Sequence, residues 1–110
     1  MKDLYERWLL GLWHGDYALA EDIIAEDFAG HWPDREVAGR DALVELIRET
    51  RDRFASLTFT LEVGPFGDEI IAARWSGEGL EPNMRLLGHD LLRIQGGRVA
   101  EYWVVSWSSS

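Results

Sequence analysis

Asp90, Arg74 and Tyr102 stand in runs rich in apolar and aromatic residues, and His31 stands in the short segment GHWP. These are the side chains best suited to moving or steering a proton. An aspartate beside an arginine stays ionised, because the opposite charge lowers its pKa. An aspartate in an apolar, tryptophan-lined pocket has its pKa raised and can act as a general acid. The residue types leave both arrangements open. Asp90 would transfer a proton while Arg74 or Tyr102 orients a carbonyl or hydroxyl, or Asp90 and Arg74 would be a buried pair fixing neighbouring strands. His31 either shuttles protons near neutral pH or simply hydrogen-bonds to backbone.

Other chemistries find little to use. The chain has no cysteine, so disulfides, thiolate metal sites and a cysteine nucleophile are excluded. His14, His31 and His89 show no metal-ligand spacing, and no metal site is expected. His14 is expected at a helix C-terminus, where positive charge is favourable. The segments GPFGDE and QGGR read as turns without the following helix that would bind phosphate. No nucleotide, flavin or other cofactor is implied. The net charge of −9 opposes a phosphate backbone. Arg48, Arg51 and Arg53 interleave with Glu45, Glu49 and Asp52, as on a solvated helix face, so nucleic acid is not an expected partner. No run approaches the roughly 20 apolar residues that cross a bilayer. Asp3, Glu6 and Arg7 interrupt the N-terminal apolar stretch, so neither membrane nor secretion is expected and the expected location is cytoplasmic.

The 110 residues have room for one core, and the chain is expected to be a single domain over 1–110. Leu4, Trp8, Leu9 and Leu12 recur at helical spacing and predict a helix over 2–14, ended by Gly15. Asp16 would cap a second helix burying Leu19, Ile23 and Ile24. Phe28–Trp32 reads as a short strand or loop, and 34–39 as a turn. Asp41 would cap a third helix striped by Ala42, Leu43, Leu46, Ile47 and Phe54. Four strand-like runs follow: Leu57–Val63, Glu69–Gly77, Arg85–Ile94 and Arg98–Trp107. Turn chemistry separates them at Gly64-Pro65, at 79–83 and at Gly96-Gly97, the last a hairpin signal. Ser108-Ser109-Ser110 is expected to fray. Three helices followed by consecutive strands imply an α+β fold with helices on one face of an antiparallel sheet.

Four segments in order, GDYALAEDIIAEDFAGHWP, GRDALVELIRETRDRF, IIAARWSGEG and GHDLLRIQGGRVAEYW, resemble the nuclear transport factor 2-like superfamily. Within it they resemble the SnoaL-like polyketide cyclases and, beyond them, the ketosteroid isomerases. The resemblance implies a cystatin-like, cone-shaped α+β barrel in which three N-terminal helices and a curved antiparallel sheet enclose a pocket. It places Asp90 inward, like the matching isomerase aspartate. The isomerase tyrosine and proton-shuttling carboxylate fall at Trp8 and Trp32. The arginine of limonene epoxide hydrolases matches Arg74, with its acids at Ser76 and Val104. The last-strand acid of SnoaL-like cyclases falls near Val104.

From Asp90, period-2 alternation carries Leu92, Ile94, Tyr102, Val104 and Ser106 inward, with Arg74 and Ser76. Ile71, Ala73 and Trp75 would then face out with Leu87, Leu91, Trp103, Val105 and Trp107. Such an outer face needs cover, and a homodimer through it is expected. Trp8, Trp32, Ser76, Leu92, Val104 and Ser106 would contact a small apolar ligand. Two readings follow. One is an enzyme performing acid–base isomerisation, cyclisation or dehydration on an apolar carbonyl-bearing substrate. The other is a binding or interaction module that has lost the family's acids.

Overall fold

The computed structural model describes residues 2–80 and 84–109. The first helical segment begins as α1 (Lys2–Glu6) and loosens into a π-helical turn at Arg7–Gly11 and a 3-10 turn at Leu12–His14. Gly15 ends it in the left-handed region, its N–H donating to the Leu12 carbonyl. A 3-10 turn at Tyr17–Leu19 leads into the short α2 (Ala20–Ile23). The strands are β1 (Ile24–Trp32), β2 (Arg35–Ala38), β3 (Thr58–Phe66), β4 (Ile70–Glu78), β5 (Arg85–Gln95) and β6 (Arg98–Ser109), with α3 (Arg40–Arg53) between β2 and β3.

These strands make one sheet in the order β2-β1-β6-β5-β4-β3. It is mixed: β1 runs parallel to β6, and every other pairing is antiparallel. The edge strands β2 and β3 do not meet, so the sheet is open rather than a closed barrel. The fold is α+β, as expected, with a longer and less uniform sheet.

Several differences have local causes. Ile24 is fully buried as the first residue of β1, not as part of a helix stripe, because α2 lasts barely one turn. The polar segment read as a turn is β2, whose Val37 alone is buried. Asp16 occupies the N-cap position without a capping bond, and Gly39 rather than Asp41 precedes α3. Asp41 lies in the first turn, where its charge suits the helix dipole, and Ala42 is exposed. Between β5 and β6, Gly96 and Gly97 both have positive φ, the geometry a two-residue type I′ hairpin requires. Ser108 and Ser109 pair with β5 instead of fraying. Glu81, Pro82 and Asn83 of the expected 79–83 turn, and Ser110, lie outside the described residues.

The core forms where the first helical segment and α3 meet the inner sheet face. Tyr5, Trp8 and Leu12 are fully buried there with Leu43 and Ile47 of α3 and Phe28, Ile71 and Leu92 of the sheet. Arg51 ties the layers, donating through one guanidinium nitrogen to the carbonyls of Trp13 and Leu57. No helix among the described residues is long and apolar enough to cross a membrane.

Candidate active site

Among the described residues Asp90 is the one acidic or basic residue buried in the core, at 2% exposure. It sits mid-β5, opposite Ala73 on β4 and Val104 on β6. Four neutral donors converge on it. The indole N–H of Trp75 and the hydroxyl of Tyr102 each donate to Oδ1 at 2.7 Å. The Tyr5 hydroxyl donates to Oδ2 at 2.8 Å and the Trp8 indole at a looser 3.4 Å. Among the described residues no arginine, lysine or histidine makes a salt bridge to this carboxyl.

Burial pushes the Asp90 pKa above its ordinary value, and the four hydrogen bonds pull it back only in part. The same buried setting raises both tyrosines: desolvation first, then the adjacent carboxyl. The donor set tolerates either protonation state of Asp90. Indole N–H groups can only donate, and they hold one position on each oxygen. A tyrosine hydroxyl can rotate and accept, so a protonated Asp90 has the Tyr5 and Tyr102 oxygens within reach as acceptors.

Beside this cluster lies a cavity of about 150 Å³, partly open to solvent. Trp8, Leu9, Trp13, Leu57, Phe59 and Trp75 wall its interior with Asp90, Tyr102 and Val104. Trp32, Leu46, Thr50, Leu80, Leu86 and Ser106, all partly or well exposed, line it as well. Its polar groups are few: the Asp90 carboxyl, hydroxyls and indole N–H groups. Of the expected site residues, the cavity brings together Asp90, Tyr102, Trp8, Trp32, Val104 and Ser106. Leu92 points inward and is fully buried, but lies outside the cavity lining.

Arg74 and Ser76 are not there, and this corrects the expected register of β4. Ile71, Ala73 and Trp75 face inward at 0%, 8% and 6% exposure. Arg74 faces the other side, opposite His89, with its guanidinium 5.6 Å from the Trp107 ring centre. Ser76 is buried on that outer face and donates to Glu62, which also pairs with Arg85. Asp90 therefore has no arginine partner, and the buried Asp–Arg pair is absent. The strand's own alternation, apolar at 71, 73 and 75 and polar at 74 and 76, carried this signal.

His31 is also on the outer face, away from the cavity. Its Nδ1 meets the Glu36 carboxylate at 2.7 and 2.9 Å, and its Nε2 meets Glu101 at 2.7 Å. The ring stacks 5.5 Å from Trp103. With both nitrogens on carboxylates the ring must donate twice, which is the imidazolium form. The Glu101 and Glu36 hydrogen bonds raise its pKa accordingly. The expected backbone bond is thus replaced by two side-chain partners. His14 departs from expectation too. Its Nε2 accepts the Phe59 backbone N–H at 2.8 Å, so it is neutral, and burial and Arg51 lower its pKa.

Two residues of the cluster escaped the sequence reading, Tyr5 and Trp75. Tyr5 precedes Trp8 by three residues, which puts both on one helix face. A first-helix tyrosine does reach Asp90, one helical turn before the position matched to the isomerases.

The helix-covered sheet with a carboxyl at the base of an apolar cavity is the architecture of small pocket proteins, and comparison with known families narrows it. The chain matches the SnoaL-like domain over residues 5–102 and belongs to that family. IdmH of Streptomyces antibioticus, a candidate polyketide cyclase, is similar at 18% identity and a TM-score of 0.81, covering 96% of this chain and 90% of its own. A candidate SnoaL-like isomerase from Agrobacterium tumefaciens C58 gives 17% identity and a TM-score of 0.80, covering 93% and 92%. A candidate ketosteroid isomerase from Kribbella flavida gives 15% identity and a TM-score of 0.83, covering 98% and 78%. At these identities the structures share the fold. No curated protein matches.

Proposed function

We propose that this SnoaL-like protein is a small-molecule enzyme that uses Asp90 for acid–base chemistry on an apolar, carbonyl-bearing substrate. The observation that carries the reading is a buried carboxyl, raised in pKa and without a cationic partner, at the wall of an apolar cavity. Among the described residues the cavity wall carries one carboxyl, that of Asp90, which makes it the proton-transfer group of this reading. That suits a dehydration in which the acid protonates the leaving hydroxyl and the carboxylate so formed takes the proton from the carbon next to the carbonyl, leaving the carbon–carbon double bond and water. It equally suits an isomerisation or cyclisation in which one group polarises the carbonyl and returns a proton. Tyr102 carries the polarity of Asp90 toward the ligand, and the loose Trp8 contact marks where a substrate oxygen can displace a donor on Oδ2.

The experiment follows deuterium incorporation from heavy water at the carbon next to the carbonyl of neutral ketones and enones, read by NMR. The wild type is expected to accelerate exchange for at least one member of the set. Asp90→Asn is expected to lose at least about a hundredfold of that acceleration, as for a general acid–base group. Exchange unchanged by Asp90→Asn contradicts the reading.

A second reading draws on the same cluster. Both Asp90 oxygens are already engaged by two donors each, the arrangement expected of a structural polar knot in a binding module. Ligand binding without any exchange over the same set favours it.

The outer sheet face supports a homodimer. Leu91 and Trp103 are cross-strand neighbours at 44% and 36% exposure, with Val105 and Trp107 beyond them at 58% and 41%. Equilibrium sedimentation is expected to find a dimer that Trp103→Glu converts to monomer. A wild type monomeric at micromolar concentration counts against it.

A further inference from the structure

We infer that the cavity takes a neutral molecule one ring wide, and that fused polycyclic ligands do not fit within it. This rests on the cavity being the ligand site and is independent of whether Asp90 performs chemistry. A volume of about 150 Å³ is the size that holds a single benzene ring. What sets that volume is a run of six aromatic rings in contact. Trp32 meets Tyr102 at 5.3 Å between ring centres, Tyr102 meets Trp8 at 4.8 Å, and Trp8 meets Trp13 at 6.0 Å. Trp13 meets Phe59 at 5.9 Å and Phe59 meets Trp75 at 5.3 Å.

All five contacts are edge-to-face, the preferred geometry for aromatic pairs. Asp90 then pins three of the six rings, taking hydrogen bonds from Trp8, Tyr102 and Trp75. Gly88 adds a further constraint. A methyl group there would come within 2.2 Å of the Trp75 ring, so Trp75 lies directly on the strand beneath it. Rings held by one another, by the carboxyl and by the backbone cannot swing aside to admit a wider ligand without breaking several contacts at once.

The charge follows from the same residues. Among the described residues no lysine, arginine or histidine lines the cavity, so a carboxylate ligand would meet Asp90 with no counter-charge. A cationic ligand is disfavoured as well. The edge-to-face pairs spend ring faces on neighbouring rings, and the Asp90 oxygens already hold four donors. A neutral ring bearing one carbonyl or hydroxyl matches both the apolar walls and the single polar end.

Four of the six tryptophans line the cavity, so intrinsic fluorescence reports binding, with calorimetry as an independent measure. Cyclohex-2-enone is the neutral probe, with benzoate, benzylammonium and a four-ring steroid enone as the comparisons. The enone is expected to bind at least tenfold more tightly than each of the others. Equal or tighter binding of the steroid overturns the size limit, and equal or tighter binding of either ion overturns the neutrality. No binding by any probe overturns the ligand-site reading itself.

Phe59→Ala tests the cause of the limit. It is expected to admit a two-ring ketone at least tenfold better than the wild type does, with folding checked by circular dichroism. Trp13→Phe replaces it if Phe59→Ala does not fold. A folded variant with no gain contradicts the assignment of the limit to the aromatic rings.

Discussion

At the scale of single residues, the Asp90 cluster is a problem of counting donors and acceptors. A carboxylate offers about four acceptor positions, and Tyr5, Trp8, Trp75 and Tyr102 fill four. No buried side-chain polar atom among the described residues is left without a partner. That balance makes the site sensitive to substitution. Asp90→Leu removes the acceptor of all four donors, and while the hydroxyls can re-aim, the indole N–H groups cannot. Each orphaned donor costs about 1–3 kcal/mol, so Asp90→Leu is expected to lower stability by about 3 kcal/mol or more in urea denaturation. A loss below about 1 kcal/mol would mean that the indoles find other acceptors or water.

At the scale of elements, the site depends on which face each strand presents. Asp90, Tyr102, Val104 and Ser106 were legible because alternation runs unbroken through β5 and, beyond a bulge at Ala100, through the second half of β6. The Gly96-Gly97 turn sets the pairing of Gln95 with Arg98 and Ile94 with Val99, and the one-residue bulge after it brings Leu92 opposite Tyr102 and Asp90 opposite Val104. Strand β4 misled, because a resemblance to an arginine elsewhere in the fold outweighed the strand's own apolar period. A shift of one residue exchanges the two faces, and it put Arg74 inside and Trp75 outside. Tyr5 was hidden differently. Its partner is 85 residues away, and helical spacing shows only that it shares a face with Trp8.

The register of β4 also explains Gly88. It faces Trp75 across the β4–β5 pair, and a side chain there collides with the rigid indole. Gly88→Ala is expected to destabilise the fold by about 2 kcal/mol, as overpacking does, and to blue-shift or quench the Trp75 emission as the ring leaves Asp90. A neutral effect on both stability and fluorescence would show that the indole has room to move.

At the scale of the molecule, the α+β class and the run of four strands after the last helix were legible from 110 residues, whereas the pairing of β1 with β2 ahead of α3 was not. The parallel contact between β1 and β6 was not, because it pairs segments some 70 residues apart and leaves no local pattern. Nor was the outer-face cluster of His31, Glu36, Glu101 and Arg93, which four strands assemble across the sheet. The molecule thus divides its polar chemistry by face. The outer face holds charges in solvent-exposed pairs, and the inner face holds one carboxyl among aromatic rings. The difference in solvation, more than the residue types, gives Asp90 its raised pKa.

The most direct test of the central claim is a pH titration of the Asp90 side-chain carboxyl, followed by its carbon chemical shift in NMR. The account predicts a midpoint above the ordinary aspartate value of 3.8, moving higher still in Tyr102→Phe, which removes a bond that favours the ionised form. Because the folded pKa is raised, ionising Asp90 should also lower stability as pH rises above the unfolded value. A midpoint at or below 3.8 would mean that the four hydrogen bonds outweigh burial, and Asp90 would then be a structural anion and not an acid.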